Sequence, residues 1–217
     1  MAQTISIINQ KGGVGKSTTA VCLGCGLARK GARVLFADLD AQANLTWSLG
    51  ADADGGPTAL EVLTRACPAA GAIRHTPNGD LIPAGASLSG ADTVITAVGK
   101  EYRLREALEP LASSYDYLII DTPPALGILT VNALTASDGV IIPAQADIYS
   151  LQGIGQLYST IQTVRQYCNP ALSVLGIVLT RYSPRAILSR DVADMLRETA
   201  RQMGTRLYKT HVRECIA

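Results

Sequence analysis

Gln10-Lys11-Gly12-Gly13-Val14-Gly15-Lys16-Ser17-Thr18-Thr19 is the stretch on which the fold turns. A β-branched run, Thr4-Ile5-Ser6-Ile7-Ile8, precedes it. An Ala/Leu/Gly-rich segment follows and is expected to be helical over 16–30, with Gly31 as its stop. Strand, glycine loop and helix in that order turn a glycine motif into a phosphate site. Without Cβ atoms the loop can fold its backbone N–H groups around an anion, and the helix adds its unpaired first-turn donors and the positive end of its dipole. Gly12, Gly13, Val14, Gly15, Lys16, Ser17 and Thr18 are therefore the candidate nucleotide cradle. Lys16 would reach the β- and γ-phosphates, and the Ser17 hydroxyl would ligate Mg²⁺.

An ordinary phosphate loop carries glycine at position 10; this chain has Gln10, followed by a second lysine, Lys11. The heptad Lys-Gly-Gly-Val-Gly-Lys-Ser is the deviant Walker A motif, and in it the chain resembles the ParA/Soj partition ATPases, with MinD a close relative. The resemblance implies that Lys11 crosses a nucleotide-sandwich homodimer to touch the partner's phosphates, a charge clamp acting much as an arginine finger does. It implies ATP, ADP and Mg²⁺ as cofactors.

Composition fits a single α/β domain. At 217 residues there is ample core, 47% of residues are hydrophobic, and the net charge of +1 does not announce a nucleic-acid partner. No apolar run approaches the ~20 residues needed to span a bilayer, and nothing before the loop resembles a signal peptide, so a cytoplasmic protein is expected, and the resemblance implies association with the nucleoid. Five cysteines suit a reducing compartment. The Cys22-x-x-Cys25 pair lies inside the first helix, without a second pair, and is expected to pack on one buried face rather than bind metal.

Further along, Val34-Leu35-Phe36-Ala37 reads as a buried strand delivering Asp38-Leu39-Asp40-Ala41-Gln42-Ala43-Asn44. This is similar to the family's Asp-Leu-Asp-Pro-Gln-Gly-Asn, with Ala41 and Ala43 in place of proline and glycine. Carboxylates at a strand's carboxyl end face the ligand crevice of an open sheet. Asp40 is the candidate for orienting the attacking water, and Asp38 for supporting Mg²⁺ and Lys16. A capping box is expected from Thr58 to Glu61. Residues 67–80 read as a loop, with His75 on the surface, 81–84 as a strand, 86–100 as ambiguous, and 102–111 as a helix. Tyr117-Leu118-Ile119-Ile120-Asp121 is a Walker B strand whose carboxylate would hold Mg²⁺, and Pro123-Pro124 stiffens a loop that resembles switch II.

The remaining chain alternates helix (129–136), strand (139–143), amphipathic helix (151–167) and strand (172–179). The fold expected is a doubly wound, mostly parallel sheet with helices on both faces. The resemblance places Asp147 near the opposite subunit's nucleotide, Thr180 and Arg181 around the adenine, and Arg185 on DNA bound without sequence preference. Arg190 and other nearby arginines add charge that would make such binding salt-sensitive. Asp191, Asp194 and Glu198 are interleaved and weaken that reading.

Two departures stand out. Relatives have Ile-Pro-Arg-Asn shortly after the Lys-Thr that Lys209-Thr210 matches; this chain has Val212-Arg213-Glu214-Cys215, so a proline beside adenine is missing. The domain, spanning 1–217, is also expected to lack the closing C-terminal helices and any operator-reading module before the first strand. The reading is a partition ATPase whose ATP dimer binds non-specific DNA and is released by a ParB-like activator. The alternatives are a nucleotide switch positioning a protein cargo without DNA, and a MinD-like membrane ATPase, for which 207–217 is too short and mixed.

Overall fold

The structure, a computed structural model, describes residues 2–52, 54–182 and 187–213. The strands are β1 (Gln3–Ile7), β2 (Val34–Asp38), β3 (Arg74–Thr76), β4 (Gly79–Ile82), β5 (Tyr117–Asp121), β6 (Gly139–Gln145) and β7 (Ser173–Thr180). The helices are α1 (Lys16–Ala28), α2 (Asn44–Ser48), α3 (Ala59–Leu63), α4 (Ala91–Val94), α5 (Arg103–Leu108), α6 (Ile128–Ala136), α7 (Ile148–Tyr167) and α8 (Ile187–Gln202).

The seven strands form one sheet in the order β3-β4-β2-β5-β1-β6-β7, parallel except for the β3/β4 pair. The chain leaves β1 toward β2 on one side and leaves β5 toward β6 on the other. The crevice between the β1 and β5 ends is thus a topological switch point, where open α/β sheets bind ligands. Alternation along the strands decides which layer covers which face. Ile5, Ile7, Phe36 and Ile119 pack under α1 and α2. Leu35, Ala37, Leu118 and Ile120 pack under α3 to α6, while Val140, Ile142 and Ile177 pack under α7 and α8. The sheet is doubly wound, with helices on both faces.

The Thr58–Glu61 capping box forms: the Thr58 N–H donates to the Glu61 carboxylate at 2.8 Å. Two sequence expectations need correction. Residues 74–82, read mostly as loop, make the β3/β4 hairpin, turned by Pro77-Asn78, with Gly79 opening β4 at φ 132°. His75 lies exposed on it, its Nδ1 2.7 Å from Asp80 Oδ1. The helix expected over 102–111 is regular only over Arg103–Leu108, and 86–102 resolves into tight turns plus α4. The segment 206–212 runs parallel to the outer edge of β7, with Tyr208 N donating to Ile177 O and Val212 N to Leu179 O, both at 2.8 Å. That segment covers backbone groups which an edge strand would otherwise expose.

Candidate nucleotide site

The phosphate loop leaves β1 and is fastened to two further strands, β6 and β7. The Asn9 side chain donates from Nδ2 to Pro143 O at 2.7 Å and accepts from Lys11 N at 2.9 Å. Gln145, ending β6, donates to Gly13 O at 3.0 Å, and Thr180, ending β7, donates to Val14 O at 2.8 Å. Gly13 and Gly15 hold φ of 71° and 84°, the left-handed region that costs a side-chain-bearing residue ~1–2 kcal/mol. No side chain caps α1, which begins at Lys16, so its first N–H groups remain for a ligand. Gly12 to Thr18 all line a single cleft of about 1170 Å³, and Thr180 and Arg181 line it too.

The two lysines face different surroundings. Lys16 lines the cleft and is 6% exposed; burial lowers its pKa, while Asp121 and Asp40 pull it back up. Lys11 is not among the cleft-lining residues. Its Nζ lies 2.5 Å from Asp147 Oδ2 and 3.4 Å from Gln145 Oε1, beside the N-terminus of α7. Asp147 caps that helix by accepting from Ser150 N at 2.9 Å. Burial pushes Asp147 up, but the Lys11 and Ser150 hydrogen bonds outweigh it and leave the carboxyl below its ordinary value. Asp147, placed by resemblance near a partner's nucleotide, here holds Lys11 of its own chain.

The three aspartates divide their tasks. Asp38 and Asp121 are register partners on adjacent strands, both fully buried. Asp38 Oδ2 accepts from Thr46 N at 2.9 Å and Thr46 Oγ1 at 2.8 Å, and Oδ1 accepts from Asp40 N at 3.1 Å. Thr46 Oγ1 in turn accepts from Ala84 N at 3.0 Å. Both oxygens of Asp38, named above as a metal support, are thus turned onto the 40–46 loop that they shape. In that loop Ala43, where the resembled motif has glycine, sits at φ 53°. Asp40 lines the cleft, anchored by Gln42 N at 3.1 Å. Asp121 Oδ1 accepts from Thr122 N at 3.1 Å, but the buried Oδ2 has no hydrogen-bond partner.

An orphaned carboxylate oxygen close to the Ser17 hydroxyl suits Mg²⁺, held directly or through water. Among the described residues no three His, Cys, Asp or Glu side chains could form a cation cage. That donor set fits a cation completing its shell from phosphate and water.

Other sequence-named residues fall outside this constellation. Arg185 lies outside the described residues. Arg190 is exposed on α8, where Arg197 pairs with Asp194 and Arg201 with Glu198. Cys22 corrects the packing expectation. It is exposed and lines the cleft, with Cys25 only half-buried. The residues of α1 packed against the sheet include Ala20 and Gly24, one turn apart, and Cys22 is half a turn away from them. Sequence reasoning missed Asn9, Gln145 and Thr46; the only signal was that two of them stand at strand ends beside the loop. Among the described residues no helix is long and apolar enough to cross a membrane.

A protein-family profile described as "AAA domain" matches residues 2–174. The chain is 42% identical over 214 residues to the sporulation initiation inhibitor protein Soj of Bacillus subtilis, covering 97% of this chain and 83% of Soj. It is 44% identical over 201 residues to the chromosome partitioning protein ParA of Caulobacter vibrioides, covering 90% and 75%. A Mycobacterium smegmatis protein called cobyrinic acid a,c-diamide synthase has been solved with ADP and magnesium and with an ATP analogue and magnesium. Each structure superposes with a TM-score of 0.87 at 41% identity, covering 91% of this chain and 82% of that one.

Proposed function

Because the chain belongs to the ParA/Soj family of partition ATPases, we propose that it binds ATP with Mg²⁺ as a two-fold dimer. That dimer holds non-specific DNA and is released when a ParB-like partner stimulates slow hydrolysis. The carrying observation is the separation of the two lysines: Lys16 faces the cleft of its own chain, whereas Lys11 stands outside it. A second ammonium so placed serves a neighbouring triphosphate better than its own.

Each residue has a role that needs no covalent intermediate, since phosphoryl transfer is catalysed by positioning and electrostatics. The loop N–H groups and Lys16 hold the phosphates. Asp121 Oδ2 and Ser17 hold the cation, which when bound neutralises charge on the transferred phosphoryl group. Asp40 orients the water, and Asp38 fixes Asp40 through its N–H. Lys11 exchanges Asp147 for the partner's phosphates, one charge-assisted contact replacing another. DNA binding rests on the resemblance at Arg185 and on exposed Arg190.

The test joins assembly to DNA. With a non-hydrolysable ATP analogue and Mg²⁺, sedimentation should show a monomer becoming a dimer, and random-sequence DNA should shift only then, less so as salt rises. Lys11→Ala should retain nucleotide but lose both dimer and shift. A dimer that shifts no DNA at low salt would support the protein-cargo alternative; a monomer under all conditions would remove the sandwich.

A further inference from the structure

The cleft extends from the phosphate loop in two directions. Toward α2 it meets Asp40, whose charge acts on Lys16 together with that of Asp121, so the reacting phosphate and the cation lie on this side. Toward β7 it meets Thr180 and the 210–213 segment. A nucleotide whose terminal phosphate points to Asp40 therefore directs its base toward β7. The residues lining the cleft on that side include His211, whose side chain is an imidazole ring.

Two independent observations fix that ring. The backbone of the next residue is paired to the outer edge of β7, with Val212 N donating to Leu179 O at 2.8 Å and Val212 O accepting from Arg181 N at 3.0 Å. The His211 side chain packs edge-to-face against Tyr182, with ring centroids 5.4 Å apart and planes at 77°. Edge-to-face packing is the favoured aromatic geometry and leaves a face of the imidazole unoccupied by Tyr182. A planar π-surface held rigid beside a base pocket loses little entropy on binding.

Building on the nucleotide reading above, we infer that His211 stacks on the base of the bound nucleotide, with Tyr182 as its positioning residue. The contact makes the 206–212 segment part of the site, not merely an edge cover. Stacking on an aromatic side chain weakens binding by roughly tenfold or more when the ring is removed.

Direct titrations of the whole chain, with Mg²⁺ and either ATP or inorganic tripolyphosphate, test it. His211→Ala should weaken ATP about tenfold and leave tripolyphosphate unchanged, because the latter has no base to stack. His211→Phe should restore ATP affinity. Tyr182→Phe should be silent and Tyr182→Ala intermediate, since the edge contact uses the ring and not the hydroxyl. His211→Ala binding ATP as the parent does, or losing tripolyphosphate in the same proportion, would overturn the assignment. If Lys16→Ala binds both ligands at parental strength, the nucleotide reading itself has failed, whatever His211 does.

Discussion

Asp38 and Asp121 end neighbouring strands, about 5 Å apart across the ladder, and burial dominates both. Burial pushes Asp38 up to about 6 against the hydrogen bonds from Thr46 and Asp40. Burial, then the Asp38 charge, pushes Asp121 up to about 7, while Ser17 and Lys16 pull it down. Unfolded, both would titrate near 3.8, so in between the folded chain holds protons that the unfolded chain has released. The stability from these raised groups is complete below the unfolded value and is lost as pH rises through 6 and 7, by at most ~1.4 kcal/mol per pH unit for each group. The nucleotide-free protein should therefore melt several degrees lower at pH 8 than at pH 5.5, at ~2–4 °C per kcal/mol. Asp121→Asn should flatten that slope and raise the melting temperature at pH 8, while losing Mg²⁺-dependent nucleotide binding. Identical slopes in parent and variant would show that Asp121 is not the strained group. The cost has a use: a carboxylate left short of partners is released from strain by a cation.

At the scale of elements, α1 is aimed by its contact with β2. A Cβ on Gly24 would lie 2.2 Å from Phe36 Cε1, and Phe36 is fully buried, whereas a Cβ on exposed Gly26 meets nothing within 4 Å. Alanine favours a helix over glycine by ~1 kcal/mol, yet overpacking a core costs ~1–3 kcal/mol. Gly26→Ala should raise the urea midpoint and Gly24→Ala should lower it, with Phe36→Leu restoring part of the loss. Equal stabilisation by both alanines would mean that the helix does not sit flush on the sheet. This contact also shows how much of the fold was legible in the chain. The loop, the carboxylate-ended strands 34–38 and 117–121, and the later strand–helix alternation were readable because each pairs a long periodic or apolar run with a defined terminus. The β3/β4 hairpin was not, since a three-residue strand has too little pattern, although Asn78-Gly79 offered a turn signal. Cys22 was misplaced because α1 packs through small residues, so hydrophobicity does not mark its buried stripe. The pairing of 206–212 with β7 and the braces from Asn9 and Gln145 are tertiary, and no local periodicity encodes them.

At the scale of the whole molecule, the phosphate-loop cleft has a lysine stationed beside it and tied to an aspartate of its own chain. The sheet edge carrying β7 is covered by 206–212, Lys16 lines the cleft from within, and Lys11 is held by Asp147 of its own chain. Two such molecules facing each other across their clefts would each complete the other's site, which is the isologous geometry of a two-fold dimer. The most direct test mixes two defective proteins. Lys11→Ala keeps Asp40 beside its own nucleotide, Asp40→Ala keeps Lys11 for its neighbour, and each alone should hydrolyse ATP poorly. Mixed in equal amounts, they should recover a clear fraction of the parental rate, because one site in each mixed dimer is complete. A mixture as inactive as its components, or a Lys11→Ala protein hydrolysing ATP at the parental rate, would contradict the exchange of lysines between subunits.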